Sequence, residues 1–253
     1  MVWGMSLPSN FGEFWPDGDF EFDAKARDGR WSERLRLHYL AQIPDEQRRL
    51  FDYGDNHVGY GAGNYGTFVV GKFTRERGTV RPGSPDYPPF RPVEPHEAPR
   101  SFAAEKSYQT LGSLIELNDG IVAVDEALKE IIERLEPGIH QFFPIEIRMP
   151  RGQIYPGQYY TMVIGQFIDS FLPENSQGDS WSGYGPEYPN TYSYKELNRG
   201  ISGLALSAEN FGNANLWRER SFTNILLCFS DALRAEIEKS GIRVPDSYRM
   251  MET

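Results

Sequence analysis

The chain has 253 residues, a formal net charge of −10 and a single cysteine. This length suffices for one large domain or two small ones that bury a core without a disulfide or a metal, and one cysteine excludes an intramolecular disulfide and any cysteine-based zinc cluster. The four histidines, His38, His57, His96 and His140, are scattered without a zinc-binding spacing. We therefore expect no metal, and we also expect no cofactor.

Acidic residues are distributed unevenly along the chain. Residues 1–100 carry 15 acids and 13 bases, whereas residues 101–253 carry 21 acids and 13 bases. The segment from Gly152 to Tyr194 contains no Lys or Arg, and neither do the first 24 residues. Because nucleic-acid binding depends on Lys and Arg, this distribution argues against a nucleic-acid partner and favours a basic protein partner. The same acidic excess also serves solubility, and both explanations stay open.

The first residues carry no targeting pattern. The sequence MVWGMSLPSNFGEFW has neither the basic start nor the apolar stretch of a secretory signal. No run in the chain approaches the roughly 18 apolar residues that a membrane-spanning helix needs. We therefore expect a soluble, cytoplasmic protein with no membrane partner.

A strand and a helix are predicted in the first 40 residues. The alternating sequence DFEFD, residues 19–23, predicts a half-buried strand with Phe20 and Phe22 inward. A helix is predicted from Ser32, the candidate N-cap, through residue 40, because Leu35 and Tyr39 fall on one face.

A second helix is expected over residues 44–51, since proline fits the first turn of a helix. Residues 59–66, GYGAGNYG, then satisfy a G-x-G-x-x-G spacing. A dinucleotide site needs a helix after the glycines, whereas Thr67–Phe73 is β-branched and aromatic and predicts a strand. A kinase-type loop would use Lys72, but the chain contains neither an H-R-D nor a D-F-G sequence. We predict a glycine-rich turn leading into a strand, and not a phosphate-binding loop.

Seven prolines between residues 82 and 99 predict an extended connector. This connector divides the chain into an N-terminal β-rich section, residues 1–100, and an α+β section, residues 101–253.

The segment Leu114–Leu172 has the clearest periodicity. Apolar residues recur at helical spacing over residues 125–136, with Asp125 as the N-cap. Two apolar runs then predict strands, over residues 140–147 and 158–168, that pair antiparallel. No arrangement of side chains in this segment resembles a catalyst, and the histidine at its first strand is interpreted as structural.

Residues 173–194, PENSQGDSWSGYGPEYPNTYSY, form a polar segment rich in glycine and aromatic residues. Long loops that combine acids with exposed Tyr and Trp are typical of protein-binding surfaces. The alternatives are that the aromatic side chains fold back on the core or stack on sugars. We predict partner binding here and at the acid just before it, through Asp169, Glu174, Asp179, Trp181, Tyr184, Glu187 and Tyr188.

The C-terminal part contains two more apolar runs and a final helix. Residues 201–206 predict a short strand and residues 222–229 a buried run, in which Cys228 is an inert thiol. Ser230 caps the final helix, which Gly241 ends. Period-two strands without βαβ alternation predict an α+β fold, a mostly antiparallel sheet with a few packed helices.

Three motifs of the second section carry a family resemblance. They are the helix running into FFPIE at residues 142–146, Tyr159-Tyr160 leading through an apolar strand to Phe167-Ile168-Asp169, and Leu216-Trp217-Arg218 followed by CFSDAL at residues 228–233. In this order they resemble the eleventh numbered immunity family of bacterial polymorphic toxin systems, formerly a domain family of unknown function. The resemblance spans about residues 120–242. It implies a cytoplasmic protein, not an enzyme, that binds and neutralises a cognate toxin; the matched residues are core and capping positions.

Three functions are compatible with these patterns. The first is an immunity protein that occludes a toxin stoichiometrically, and the acidic excess favours a basic toxin such as a nuclease. The second is a carbohydrate-active enzyme, whose two carboxylates, about 5–10 Å apart, would come from Asp169, Glu174, Asp179 and Glu187. The third is an adaptor module of a secretion apparatus. The sequence indicates no particular oligomeric state.

Overall fold

A computed structural model describes residues 1–20, 30–48, 51, 61–74, 92–196 and 200–253. The strands are β1 (Val2–Ser6), β2 (Gly18–Phe20), β3 (Ser101–Ala104), β4 (Leu114–Glu116), β5 (Val122–Asp125), β6 (Gln141–Met149), β7 (Gln153–Ile154), β8 (Tyr159–Val163), β9 (Phe167–Ile168), β10 (Trp181–Gly183), β11 (Tyr192–Tyr194), β12 (Ala205–Leu206), β13 (Leu216–Glu219), β14 (Leu226–Ser230), β15 (Ser247–Arg249) and β16 (Met251–Glu252). The helices are α1 (Trp31–Gln42), α2 (Asp45–Arg48), α3 (Gly61–Thr74), α4 (Glu126–Leu135), α5 (Ala208–Phe211) and α6 (Asp231–Ser240).

Two larger sheets form the framework. One has the order β2-β3-β6-β8-β5-β4, with β7 paired to β6, and the other the order β15-β1-β14-β13-β9. Neighbours are antiparallel except for the pairs β3–β6 and β9–β13. This confirms the predicted α+β class with mostly antiparallel sheets. The first 20 residues enter both sheets, because β1 pairs with β14 and β15 while β2 pairs with β3.

The side-chain alternation of the strands separates three apolar clusters. On β14, Leu227 and Phe229 face a cluster between the two sheets, which α4 and α6 complete. Leu226 and Cys228 face the opposite side, where side chains from residues 171–194 and 201–214 cover the five-stranded sheet. A third cluster lies where α1 and α3 cover the other face of the larger sheet. The β10–β11 hairpin, residues 181–194, therefore lies at the outside of the second cluster.

The helix predicted at residues 125–136 and the final helix predicted between Ser230 and Gly241 are confirmed as α4 and α6. Asp125 accepts the N–H of Leu128 at 2.9 Å, and Ser230 accepts the N–H of Leu233 at 3.2 Å. Gly241 ends α6 in the left-handed conformation, with φ 65°. The caps satisfy amide groups that have no partner within a helix.

The prediction for residues 59–73 is wrong where the structure describes them. Gly61–Thr74 is one helix, α3, and not a turn followed by a strand. Five of its buried residues recur at helical spacing: Tyr65, Phe68, Val69, Lys72 and Phe73. The β-branched and aromatic composition pointed to a strand, but burying this stripe against α1 and the sheet determines the local structure.

Other boundaries differ in smaller ways. The helix predicted from Ser32 begins at Trp31, with Arg30 in the N-cap position and no side-chain cap, so Ser32 is not the N-cap. Leu35 and Tyr39 are buried, as predicted. Phe20 is buried in β2, whereas Phe22 lies outside the described residues. The helix predicted at residues 44–51 is described over Asp45–Arg48, and residues 82–91 of the connector lie outside the described ranges.

The strands predicted at residues 140–147 and 158–168 pair antiparallel as β6 and β8, from Gln141 opposite Val163 to Ile145 opposite Tyr159. The second run is interrupted at Gly165. A Cβ there would lie 1.8 Å from the carbonyl oxygen of Ile139, so the close backbone approach requires glycine. Beyond it, β9 joins the other sheet beside β13.

Candidate partner-binding surface

The β10–β11 hairpin is attached to the body of the protein through β11. Tyr192 donates its N–H to the carbonyl of Ser221 at 2.9 Å and accepts the N–H of Thr223 at 2.9 Å. The side-chain amide of Asn224 bonds both the N–H and the C=O of Tyr194, at 3.2 Å each. These four bonds fix the hairpin on the segment between β13 and β14.

Three aromatic residues of the hairpin pack on the apolar cluster beneath it. The ring of Trp181 lies 5.2 Å from that of Tyr192 and 5.7 Å from that of Phe171, both edge to face. Tyr194 is buried and donates its hydroxyl to the carbonyl of Ile225 at 3.0 Å. For these side chains, the alternative in which aromatic residues fold back on the core is correct. Trp181, a predicted contact residue, presents only part of its surface to solvent.

The tip of the hairpin carries the exposed aromatic residues. Tyr184 is 53% exposed and Tyr188 is 50% exposed, and Glu187 between them is exposed. The hydroxyl groups of Tyr184 and Thr223 are 3.0 Å apart, and Tyr188 donates its N–H to the carbonyl of Gly185 at 3.1 Å. The tip therefore offers two phenol rings and a carboxylate on a backbone that its own turn orders, a combination suited to protein contacts.

The three remaining candidate acids precede the hairpin in the chain. Asp169, Glu174 and Asp179 are all exposed. Asp169 accepts a hydrogen bond from the hydroxyl of Ser221 at 3.4 Å and lies 3.6 Å from the guanidinium of Arg220. The sequence did not indicate Arg220 as part of this surface, because it reaches Asp169 from beyond β13. Exposed pairs of this kind contribute little to stability, but they reduce the local negative charge.

His140, interpreted from the sequence as structural, belongs to a buried polar cluster. Its Nδ1 accepts the N–H of Gly165 at 3.1 Å, so the ring proton lies on Nε2, which donates to Glu136 at 2.7 Å. Glu136 also accepts hydrogen bonds from Gln166 and from the N–H of Asn215, each at 2.6 Å. Burial alone would raise the pKa of Glu136, but these hydrogen bonds outweigh burial and hold the pKa below its ordinary value. The cluster ties the end of α4 to β13.

Two further reactive side chains are enclosed. Cys228 is fully buried, and burial raises the pKa of its thiol well above the ordinary value, so it is an inert group as predicted. Lys72 is buried on α3 and contacts both carboxylate oxygens of Glu97, at 2.6 and 2.7 Å, while Tyr65 donates to the same carboxylate at 3.1 Å. An enclosed lysine with this partner is not available to a phosphate group.

Across the described part of the chain, no three His, Cys, Asp or Glu side chains are grouped so that they would hold a metal ion. Within the same residues, no helix combines the length and the apolar character needed to cross a membrane. A surface pocket of about 420 Å³ lies at the chain ends, lined by Met1 and residues 249–252 and separate from the predicted contact residues.

The polar clusters of this α+β protein are enclosed and stabilise the scaffold, while its predicted contact residues lie on an acidic, tyrosine-bearing surface. These features define a candidate protein-binding protein. The chain belongs to the immunity protein family Imm11, whose family model matches residues 20–249. The match extends well beyond the 120–242 range of the three sequence motifs and includes most of the N-terminal section. No curated protein matches the chain.

Proposed function

We propose that the protein binds a cognate protein toxin and neutralises it by one-to-one occlusion in the cytoplasm of the producing cell. The observation that carries the proposal is membership of an immunity protein family over residues 20–249. Immunity by occlusion requires a stable surface complementary to the toxin and no catalytic group in the immunity protein.

The surface that we assign to the toxin is the outer side of the β10–β11 hairpin with the acids that precede it. Tyr184 and Tyr188 supply about half-exposed aromatic rings, which are the side chains that contribute most to protein interfaces. Among the described residues, Glu174, Asp179 and Glu187 make no ion pair, so their charges remain available to a partner. A basic toxin such as a nuclease is the partner that this charge favours, since opposite charges accelerate encounter.

The carbohydrate-active alternative receives no support from the same carboxylates. Such an enzyme needs one carboxylic acid whose pKa a buried environment raises, facing a second carboxylate. Asp169, Glu174, Asp179 and Glu187 are each exposed, and Asp169 lies beside Arg220.

The test is co-expression with the neighbouring toxin gene. We expect the wild-type protein to restore growth and to co-purify with the toxin in a one-to-one complex. The double substitution Tyr184→Ala and Tyr188→Ala should weaken the complex by about 30-fold or more, as expected for two aromatic anchors. Ile154→Ala is the matched control, because Ile154 is 57% exposed and lies on β7, which pairs with β6 of the larger sheet and not with the hairpin.

Persisting toxicity without co-purification would contradict the immunity proposal for that pair. Stable association with secretion-apparatus proteins in a strain that lacks the toxin gene would instead support an adaptor. An equal effect of the tyrosine and Ile154 variants would place the contact surface elsewhere.

A further inference from the structure

The two edges of the β10–β11 hairpin differ in their backbone hydrogen bonds. Lys195 donates its N–H to the carbonyl of Ser180 at 2.8 Å, and Tyr184 donates to the carbonyl of Thr191 at 3.1 Å. Because bonded and non-bonded pairs alternate in an antiparallel ladder, the amide groups of Trp181 and Gly183 point away from β11.

The outward groups of β10 make no hydrogen bond within the described structure. The backbone N–H and C=O of Trp181 and Gly183 have no partner among the described residues, and β10 pairs with no strand other than β11. Ser182 and Gly183 are exposed. Among the described residues this edge is therefore unpaired, exposed at residues 182 and 183, and it offers four backbone groups in the geometry of a strand.

The opposite edge of the hairpin is fully used. The outward groups of Tyr192 bond to Ser221 and Thr223, and those of Tyr194 bond to the side chain of Asn224. The hairpin is thus anchored on one side and open on the other. Exposed edges in soluble proteins are usually blocked by lysine, by proline or by a bulge. The three residues of β10, Trp181-Ser182-Gly183, include neither lysine nor proline, and their register with β11 is continuous, without a bulge.

The charge around the open edge indicates which strand it would accept. Asp179 precedes β10 and Glu187 follows it, whereas Lys195, just after β11, lies on the anchored side of the hairpin. A neutral or acidic strand would gain the backbone bonds alone, whereas a strand flanked by Lys or Arg would also gain opposite charges at both ends. Peptide segments are often bound by adding a strand to an open sheet edge.

We propose that an extended segment of the toxin, bearing Lys or Arg at its ends, pairs with the outer edge of β10. This inference rests on the proposed function and assigns the chemistry of its contact. The backbone N–H and C=O groups of residues 181 and 183 would bond to the toxin segment. The exposed Tyr184, which follows β10, would lie beside the end of that segment.

The test compares two substitutions at one position, with the protein encoded by the neighbouring toxin gene as the probe. Gly183→Pro removes an outward N–H and blocks the edge, yet it leaves the bonds between β10 and β11 in place. Gly183→Ala keeps the N–H, and the atoms nearest to its Cβ would belong to the rings of Tyr192 and Trp181, at 3.8–3.9 Å, which is ordinary contact. We expect Gly183→Pro to weaken binding by about tenfold or more and Gly183→Ala by less than about threefold.

A second measurement covers the case in which the proline variant does not fold. Amide hydrogen exchange of the wild-type protein should show new protection at Trp181 and Gly183 in the complex, while Ser182, already bonded to β11, changes less. Unchanged exchange at Trp181 and Gly183, or equal binding by both Gly183 variants, would overturn the strand-pairing inference. If the wild-type complex forms in either case, the proposed function stands; absence of any wild-type complex would contradict the proposed function itself.

Discussion

Replacing Glu136 should destabilise the fold more than any exposed carboxylate would. Its two carboxylate oxygens accept four hydrogen bonds, from His140, from Gln166 and from the backbone N–H groups of Asn215 and Leu216. In Glu136→Ala, Gln166 retains the carbonyl of Leu216 at 3.0 Å, whereas the other three donors lose their acceptor. At about 1–3 kcal/mol for each buried group left unsatisfied, the loss is at least about 3 kcal/mol.

The measurement is the free energy of unfolding from urea titration at pH 7, with thermal unfolding as a second readout. For a chain of this size, a loss of about 4 kcal/mol corresponds to a melting temperature lower by roughly 10 °C. Glu136→Gln is the matched variant, because it keeps one acceptor oxygen but turns an amide N–H₂ toward donors. Its loss should be smaller, about 2 kcal/mol. Glu174→Gln, on the exposed surface, should change stability by less than about 0.5 kcal/mol.

The pH dependence provides an independent check of the same reasoning. Because the pKa of Glu136 is lower in the folded protein than its ordinary value of 4.5, its stabilising contribution is complete above that value and is lost as the pH falls through the folded pKa. The difference between wild type and Glu136→Gln should therefore be constant from about pH 6 to 7 and shrink below about pH 4. A difference that grows on acidification, or a loss below about 0.5 kcal/mol for Glu136→Ala, would refute the assignment.

Three further substitutions test other parts of the fold. Gly66→Ala should stabilise the protein by about 0.5–1 kcal/mol in urea titration, because Gly66 lies inside α3 and a Cβ there would meet no atom within 4 Å. Lys72→Met should cost about 3–5 kcal/mol, but the double variant Lys72→Met, Glu97→Leu should recover much of that loss, since neither charge then stays buried alone. Burial raises the pKa of Glu116 to about 7 in spite of the nearby Arg218, so the stability of the wild-type protein should fall as the pH rises from about 4.5 to 7. Glu116→Gln has no carboxyl group to ionise, so its stability relative to wild type should increase over the same pH range.

The elements that could be predicted from the sequence are those whose local pattern and packing agree. In α4 and α6, a capping side chain, an apolar stripe and a stop lie within about a dozen residues, so each helix is defined locally. In α3 the local sequence pattern and the packing disagree. Its glycines and β-branched residues favour a turn and a strand, and only the spacing from Tyr65 to Phe73 indicates the helix.

The proposed contact surface could be predicted in composition but not in arrangement. The sequence of residues 173–194 shows acids, glycines and aromatic residues together, yet it does not separate Trp181, which packs on Phe171, from Tyr184, which remains exposed. That separation depends on pairing with residues 221–224, which lie about 30 positions away in the chain. Arg220 reaches Asp169 through a different long-range contact, the pairing of β13 with β9, so no local pattern indicates it.

The open strand edge of β10 and the acids on either side of it have a combined consequence for specificity. An edge such as that of β10 would pair with a second copy of itself as readily as with a partner, if backbone bonds alone decided. Two copies would bring Asp179 and Glu187 of each chain close to like charges, which disfavours that pairing, whereas a basic strand gains from the same acids. If the toxin strand pairs with β10 as proposed, discrimination would arise from the difference between these two associations. It follows that replacing Asp179 and Glu187 by their amides should both weaken binding of the toxin and increase self-association, and sedimentation at rising protein concentration measures the second effect. Weaker toxin binding with unchanged self-association would show that the acids act only through attraction.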